Sequence, residues 1–239
     1  MQKKSQIQTY LQQSLRNGKL MRWTDGSMPL KIYIAPFRFY SKQGEDYKYR
    51  EMVLRAAALW EKASMGKVSF QVVPTITYSQ INLDWKRVDR QSLGQCHFNY
   101  DAQNRVYSAE VQIGISDGII HQDYMSEDEV FHTITHEIGH ALGLGHSPYD
   151  KDIMYTPHRY GVTNLSAQDK LTLQWLYKFP SGTSPSEIGS KYGVGGSTID
   201  EIISKAIEKN MPSEFEKVKN SLTTEQSDLL KEQENIADL

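Results

Sequence analysis

Residues 136–146 read HEIGHALGLGH, and this stretch decides how the rest of the chain is interpreted. On a helix, His136 and His140 lie one turn apart on the same face, so their imidazoles can bind one metal ion. Gly143 can adopt the left-handed conformation that ends a helix, after which the chain can turn back and bring in His146. Three neutral imidazoles with one open position are typical of a catalytic zinc site rather than a closed structural one.

Glu137 directly follows the first histidine and lies about 100° around the helix from it, beside the open side of the metal. This position predicts a general base that takes the proton of a zinc-activated water during hydrolysis. The alternative is a helix with two ordinary surface or core histidines. Gly143 and His146 at the expected offsets argue against that alternative, because a plain helix requires neither.

The full pattern H-E-x-x-H-x-x-G-x-x-H is the metzincin signature, and the residues after it resemble the matrixin branch, the family of the matrix metalloproteases. Met154 stands at the place of the Met-turn, Ser147 follows the third histidine, Pro157 follows the turn, and Leu165–Asp169 also matches. The resemblance covers roughly residues 22–180. It implies an α+β, metzincin-like catalytic domain with a twisted mixed β-sheet, a long first helix and an active-site helix.

The resemblance also implies a zinc-dependent metalloendopeptidase that cleaves internal bonds of protein or peptide substrates, with one catalytic Zn²⁺ on the three histidines. Met154 is then expected beneath the metal as an apolar floor. Tyr160 is the aromatic candidate for the wall of the pocket that receives the residue after the scissile bond. Asp169 is expected to brace the Met-turn.

Residues 94–98 occupy the place of the antiparallel edge strand that borders the cleft in matrixins and pairs with an extended substrate. Matrixins also hold a second, structural zinc on these strands, built from several histidines and an aspartate. This region keeps His97 but has no H-x-D pattern, so we expect one zinc per chain and neither a structural zinc nor a structural calcium ion. The first 16 residues contain no cysteine of the kind that plugs the zinc in matrixin pro-segments.

Composition argues against several other classes of function. The net charge is −2 over 239 residues, and no basic run interleaves with aromatic residues, which argues against a nucleic-acid partner. Nothing approaches about 18 consecutive apolar residues, so no membrane span is expected. Residues 1–6 are followed by no apolar core, so we expect no signal peptide in this stretch. The lone Cys96 permits no internal disulfide. The extracellular location implied by the resemblance and a cytoplasmic one therefore both stay open.

Three regions are expected along the chain. They are a helical N-terminal arm at residues 1–20, the peptidase domain at 21–180, and a linker with a small all-helical C-terminal region at 181–239, whose partner no pattern indicates. Periodicity predicts strands at residues 30–40, 68–73, 81–85, 94–100 and 106–115. It predicts helices at residues 47–63, 127–142, 166–178, 186–192, 197–209, 213–222 and 224–236.

Two features precede the motif on the active-site helix. Ser126 and Glu129 have the spacing of a capping box, which predicts where the helix begins. His132 is one turn before His136 but would lie about 12 Å from His140 along the axis. We therefore interpret His132 as a packing residue or a support for a ligand rather than as a ligand.

Two alternatives belong to other functional classes. A zinc-dependent exopeptidase of the H-E-x-x-H type would take its third ligand from a downstream glutamate, and His146 argues against it. A catalytically inactive, zinc-bound binding module is usually marked by loss of the glutamate, and Glu137 is present.

Overall fold

The computed structural model of the chain describes residues 8–38, 45–88, 92–115 and 126–210. These residues divide into two compact units. The larger unit is Tyr10–Ser184 and contains the whole histidine motif. The smaller unit contains residues 8–9 and 185–210 of the described chain.

The larger unit begins with a 3₁₀ turn at Leu11–Ser14 and a two-stranded hairpin, β1 (Leu15–Arg16) and β2 (Lys19–Leu20). This differs from the helical arm expected over residues 1–20, of which residues 1–7 lie outside the described part. The turn between the strands is Asn17-Gly18, with φ angles of 52° and 71°. Because Asn-Gly accepts left-handed conformations at both positions, it favours a tight hairpin here instead of ending a helix.

A five-stranded sheet forms the centre of the larger unit, in the order β4-β3-β5-β7-β6. Its strands are β3 (Leu30–Ile34), β4 (Phe70–Val72), β5 (Ile81–Arg87), β6 (Gly94–Tyr100) and β7 (Val106–Ile115). Strand β6 is antiparallel to β7, and the other neighbouring pairs are parallel. A mixed sheet with accompanying helices confirms the predicted α+β class.

The strands show the expected alternation of buried and exposed side chains, and one predicted strand ends earlier than expected. In β5 the side chains of Ile81 and Leu83 are fully buried, while Asp84 is exposed. Strand β3 ends at Ile34, although the sequence predicted a strand as far as residue 40. Pro36 follows shortly after, and a proline has no N–H to donate to a neighbouring strand.

Three helices accompany the sheet: α1 (Glu45–Ala63), α2 (Glu127–Ala141) and α3 (Ala167–Leu176). Helix α2 packs against α1 and against strands β6 and β7. The fully buried Trp60 of α1 donates from its indole N–H to the carbonyl of Thr135 in α2, at 2.9 Å. The motif helix is therefore fastened to the core on more than one face.

The segment at residues 181–184, predicted as a linker, is hydrogen-bonded within the larger unit. The backbone N–H of Leu20 donates to the carbonyl of Thr183 at 2.9 Å, and the N–H of Gly182 donates to the carbonyl of Leu20 at 2.8 Å. The Ser181 hydroxyl donates to the carbonyl of Asn104 at 2.6 Å. These contacts extend the larger unit to Ser184.

The smaller unit contains helices α4 (Pro185–Tyr192) and α5 (Ile199–Asn210), which pack on each other. One face of α5 is apolar and buried, as the spacing of its isoleucines predicts. The helices predicted at 213–222 and 224–236 lie outside the described residues. Within the part of the chain that the structure describes, no helix has the length and apolar character needed to cross a membrane.

Candidate active site

The site is built on helix α2, whose two ends follow from the local sequence. Ser126 caps the start, because its side chain accepts the backbone N–H of Glu129 at 3.2 Å. Gly143 follows the end with a φ of 99°, and the N–H of Leu144 donates to the carbonyl of Gly139 at 3.1 Å. The glycine thus ends the helix as predicted, and the chain then turns back.

The motif brings its three histidines together. The candidate ligand atoms of His136, His140 and His146 all lie within 4.8 Å of one another. Nδ1 of His136 donates to the carbonyl of Ile153 at 2.7 Å, and Nδ1 of His140 donates to the carbonyl of Leu144 at 2.8 Å. Because a carbonyl only accepts, both Nδ1 atoms carry the proton and both Nε2 atoms keep a lone pair for a metal.

Burial keeps the three imidazoles neutral near pH 7. Burial, followed by the neighbouring His140, holds the pKa of His136 well below its ordinary value. Burial lowers the pKa of His140 to about 4 and also lowers the pKa of His146. Neutral imidazole is the form that binds a metal ion, so no proton has to leave before binding.

Glu137 is buried beside the three histidines. Its side chain is 5% exposed, and Oε2 has no hydrogen-bond partner among the described residues. Burial raises its pKa to about 8, against an opposing contribution from the charge of Lys86. A Cβ built on Gly94, the first residue of β6, would lie 2.7 Å from Cγ and Oε1 of Glu137. Only glycine allows the edge strand to approach the carboxylate so closely.

Met154 packs directly against the turn of α2 that lies between the two helical histidines. It is fully buried, and a Cβ built on Gly139 would lie 2.3 Å from its sulfur. The same Cβ would lie 2.9 Å from the ring of Trp60. The glycine inside the motif therefore makes the space that the methionine side chain fills.

Asp169 contacts the Met-turn from helix α3. Its Oδ2 accepts the backbone N–H of Ile153 at 2.8 Å and that of Ser166 at 2.9 Å. Its Oδ1 accepts the phenol hydroxyl of Tyr10 at 2.6 Å. Because the carbonyl of Ile153 holds the ring of His136, hydrogen bonds connect Tyr10 to a candidate metal ligand.

Sequence reasoning missed two members of this buried network. Tyr10 lies 159 residues before Asp169, so no local pattern signals their contact. Asp152 is fully buried nearby, accepts the hydroxyl of Ser147 at Oδ2, and has no partner for Oδ1 among the described residues. Burial and the neighbouring Asp169 raise the pKa of Asp152 to about 7.

The N-terminal segment also supports the loop that carries the third histidine, a role that the sequence did not indicate. The hydroxyl oxygen of Ser14 accepts the backbone N–H of Gly145 at 3.0 Å. The indole N–H of Trp23 donates to the carbonyl of Ala141 at 2.7 Å. The loop is therefore hydrogen-bonded on both sides of the glycine that ends the helix.

The residues of the site line a cavity of about 570 Å³. Strand β6 and the segment before it, helix α2 and the loop after the Met-turn all contribute to its wall. Tyr160, expected in the wall of the pocket after the scissile bond, lines the cavity and is 56% exposed. Cys96 also lines it, and burial together with the charge of Glu137 raises the pKa of its thiol.

The carboxylate of Glu129 does not complete the capping box predicted with Ser126. Its Oε2 instead accepts Nε2–H of His158, and its Oε1 accepts the backbone N–H of Gly161 at 3.1 Å. Ser126 caps the helix as predicted, whereas the prediction that Glu129 bonds back to the cap residue is wrong. The side chain of Glu129 is buried and therefore takes the buried donors of the loop after the Met-turn.

His132 stands apart from the metal cluster that the described residues form, as predicted. Its Nδ1 donates to the carbonyl of Val162 at 2.6 Å. Its ring lies edge-on to that of His158, with centroids 4.1 Å apart, and burial lowers its pKa to about 4. His132 and Glu129 thus both fasten the loop after the Met-turn to helix α2.

Comparison with known proteins agrees with this geometry. A family model described as Matrixin matches residues 35–178, which is more than half of the chain. Macrophage metalloelastase of Rattus norvegicus is 46% identical over 63 residues. That alignment covers 23% of this chain and 14% of the rat protein, so the chain spans only a small part of that relative's length.

Proposed function

The chain belongs to the matrixin family, and we propose that it is a zinc-dependent metalloendopeptidase acting on proteins or peptides. The observation that carries this proposal is the convergence of three lone-pair-bearing imidazoles beside the unpartnered carboxylate oxygen of Glu137. The similarity to a protein named as a metalloelastase supports the same class of reaction.

The donor set fits a zinc ion. Three neutral nitrogen ligands with an open position are the usual protein contribution to a catalytic zinc site. His136, His140 and His146 would hold the ion, with the first two rings oriented by the carbonyls of Ile153 and Leu144. A zinc ion bound there would polarise a substrate carbonyl and increase the acidity of a water molecule.

Glu137 is the proposed general base. Its Oε2 is free to accept a proton from the attacking water and to return that proton to the nitrogen of the leaving amine. Its pKa of about 8, raised by burial, suits a group that both accepts and donates a proton near neutral pH. Gly94 keeps the neighbouring strand from pushing the carboxylate aside.

Strand β6 is the proposed binding edge for the substrate backbone. It is the last strand of the sheet, and no strand among the described residues pairs with its outer edge. Gly94, Gln95 and Cys96 of this strand line the cavity. An extended peptide can add to such an edge through backbone hydrogen bonds, which suits cleavage within a chain.

We also propose that the peptidase domain extends to Ser184 and is followed by a separate helical region. The compact packing of helices α4 and α5 within the smaller unit supports this division, with the boundary after Ser184. Met154 as the floor of the site, Asp169 as the brace of the Met-turn and Tyr160 as a pocket wall complete the proposed roles.

Paired variants test the chemistry. Glu137→Ala keeps all three imidazoles, so it should bind zinc normally but lose about 10² to 10⁴ in turnover, the usual effect of removing a general base. His140→Ala should lose zinc and activity together, because two imidazoles hold the ion far more weakly. Asp128→Ala, an exposed acidic residue on the same helix, serves as the control and should keep both.

Turnover is measured on a quenched peptide blocked at both ends, and zinc by metal analysis of the purified protein. Cleavage of the blocked peptide that stops with a chelator excludes both an exopeptidase and an inactive binding module. Near-normal cleavage by zinc-loaded Glu137→Ala would show that the assigned base is wrong. Equal loss of zinc in both variants would make Glu137 a ligand or a structural support.

A further inference from the structure

The peptide group that joins Leu144 to Gly145 is hydrogen-bonded at both of its polar atoms. Its carbonyl oxygen accepts Nδ1–H of His140 at 2.8 Å, and its N–H donates to the hydroxyl oxygen of Ser14 at 3.0 Å. This peptide bond is trans, so the two groups point in opposite directions from one rigid plane. Ser14 therefore fixes the carbonyl that orients the ring of His140.

His146, the next residue in the chain, has no such carbonyl for its own ring. His136 and His140 each donate Nδ1–H to a backbone carbonyl, whereas Nδ1 of His146 has no hydrogen-bond partner among the residues that the structure describes. His146 is also the most exposed of the three. Because ligand histidines usually depend on such a hydrogen bond for their orientation, the position of His146 depends on the backbone at Gly145.

The residue before Ser14 adds a steric restraint on the same glycine. A Cβ built on Gly145 would lie 2.4 Å from Cβ of Gln13 and 2.6 Å from its carbonyl oxygen. Gly145 does not have a positive φ, so its backbone conformation does not require glycine. The glycine is needed because the backbone of Gln13 lies so close, and this contact limits how far the loop can shift.

The N-terminal segment that carries Ser14 is itself fixed within the larger unit. Leu11 and Ser14 are buried at 0% and 1% exposure. The backbone N–H of Tyr10 donates to the hydroxyl of Thr172 at 3.3 Å, and its phenol hydroxyl donates to Asp169 at 2.6 Å. The acceptor offered by Ser14 therefore has a fixed position relative to helix α3.

We propose that Ser14 is a positioning residue for the metal site: it holds the peptide group between Leu144 and Gly145, and thereby sets the affinity of His140 and His146 for zinc. This inference rests on the proposed zinc peptidase function and adds a support that lies 131 residues before Gly145 in the sequence. Loosening of the N-terminal segment weakens the binding of zinc by both histidines together.

Two serine variants that make the same chemical change test this role. Ser14 and Ser64 are each 1% exposed, and each hydroxyl oxygen accepts one backbone N–H, from Gly145 at 3.0 Å and from Val68 at 2.9 Å. Ser14→Ala should raise the Kd for zinc about 10–100-fold, the usual effect of removing a group that supports a metal ligand. Ser64→Ala, the control, should leave the Kd unchanged, although both variants should lower the Tm of the zinc-free protein.

Two glycine variants test the steric restraint independently. Gly145→Ala should also raise the Kd for zinc, because its Cβ would collide with the backbone of Gln13. Gly26→Ala is the control, since a Cβ there would meet nothing within 4 Å and its φ is not positive. All zinc Kd values are measured by competition with a chromogenic chelator, which requires no cleavage activity.

The outcomes separate this inference from the proposed function. Equal zinc Kd values for Ser14→Ala and Ser64→Ala overturn the role of Ser14 and leave the proposed function intact. If Ser14→Ala does not fold, an unchanged Kd in Gly145→Ala overturns the inference instead. A zinc-loaded wild type that fails to cleave end-blocked peptides overturns the proposed function, while the Kd comparisons still decide the role of Ser14.

Discussion

Replacing Tyr10 by phenylalanine removes one hydroxyl group from the interior of the larger unit. This hydroxyl donates to Oδ1 of Asp169 at 2.6 Å, and burial raises the pKa of Tyr10 well above its ordinary value, so the phenol remains a donor. A hydrogen bond to a charged group contributes about 1.5–3 kcal/mol, and its loss leaves the carboxylate without one of its donors. We expect Tyr10→Phe to lower the free energy of unfolding by about 2 kcal/mol. For a protein of this size, that is a fall in Tm of about 4–8 °C.

Two other tyrosines provide matched comparisons for the same chemical change. Tyr177 is also buried, but it donates to the neutral carbonyl of Leu142 at 3.0 Å, so Tyr177→Phe should lower the stability by about 1 kcal/mol. Tyr33 in β3 is half-buried, and its hydroxyl has no partner among the described residues, so Tyr33→Phe should have little effect.

The three variants are compared by thermal melting followed by circular dichroism and by urea unfolding followed by tryptophan fluorescence, at one fixed excess of zinc. The expected order of destabilisation is Tyr10→Phe, then Tyr177→Phe, then Tyr33→Phe. If Tyr10→Phe and Tyr33→Phe have the same Tm, the hydrogen bond to Asp169 does not stabilise the fold. The reasoning that links the N-terminal segment to the Met-turn would then be refuted.

Three further predictions concern pH, chain length and metal content. The pKa of Asp152 is raised to about 7 from an ordinary 3.8, so the folded state binds a proton that the unfolded chain releases between pH 4 and 7. This contribution to stability declines as pH rises through that window, and the wild-type minus Asp152→Asn difference in the free energy of urea unfolding should show the decline; a flat difference contradicts it. A chain ended after Ser184 should fold and bind zinc, whereas one ended after Pro180 should melt lower because it loses the hydrogen bonds to Leu20; identical melting would show those bonds to be unimportant. Metal analysis should find one tightly bound zinc per chain, and two would show that a structural site was missed.

Local patterns in the sequence were enough to predict most of the helices and strands. Helix α2 and the turn at Gly143 follow from the spacing of one short motif, because residues four apart share a helical face and glycine tolerates a positive φ. Strands β6 and β7 have the predicted bounds, since turn-forming residues separate them. These features depend on neighbours in the sequence, which is why they could be read from it.

Contacts between distant parts of the chain could not be predicted in this way. The carboxylate of Glu129 has the spacing of a capping residue, yet it binds His158, 29 residues away, because folding buries it beside that donor. No local pattern in the sequence indicates that Tyr10 contacts Asp169. A local motif indicates only contacts between residues that are close in sequence. A buried polar group instead bonds whichever donor the fold brings within reach, and that donor can be far away in the sequence.

The proposed binding of a substrate at the open edge of β6 has a consequence for the conformation that the substrate must have. Seven residues of strand extend about 23 Å, whereas seven residues of helix extend about 10 Å. A segment that adds to this edge must therefore already be extended, or must first unwind from the protein that contains it. Whether a site in a target protein is cut would then depend on the local unfolding free energy of that target, and folded helices and paired strands would resist cleavage whatever their sequence.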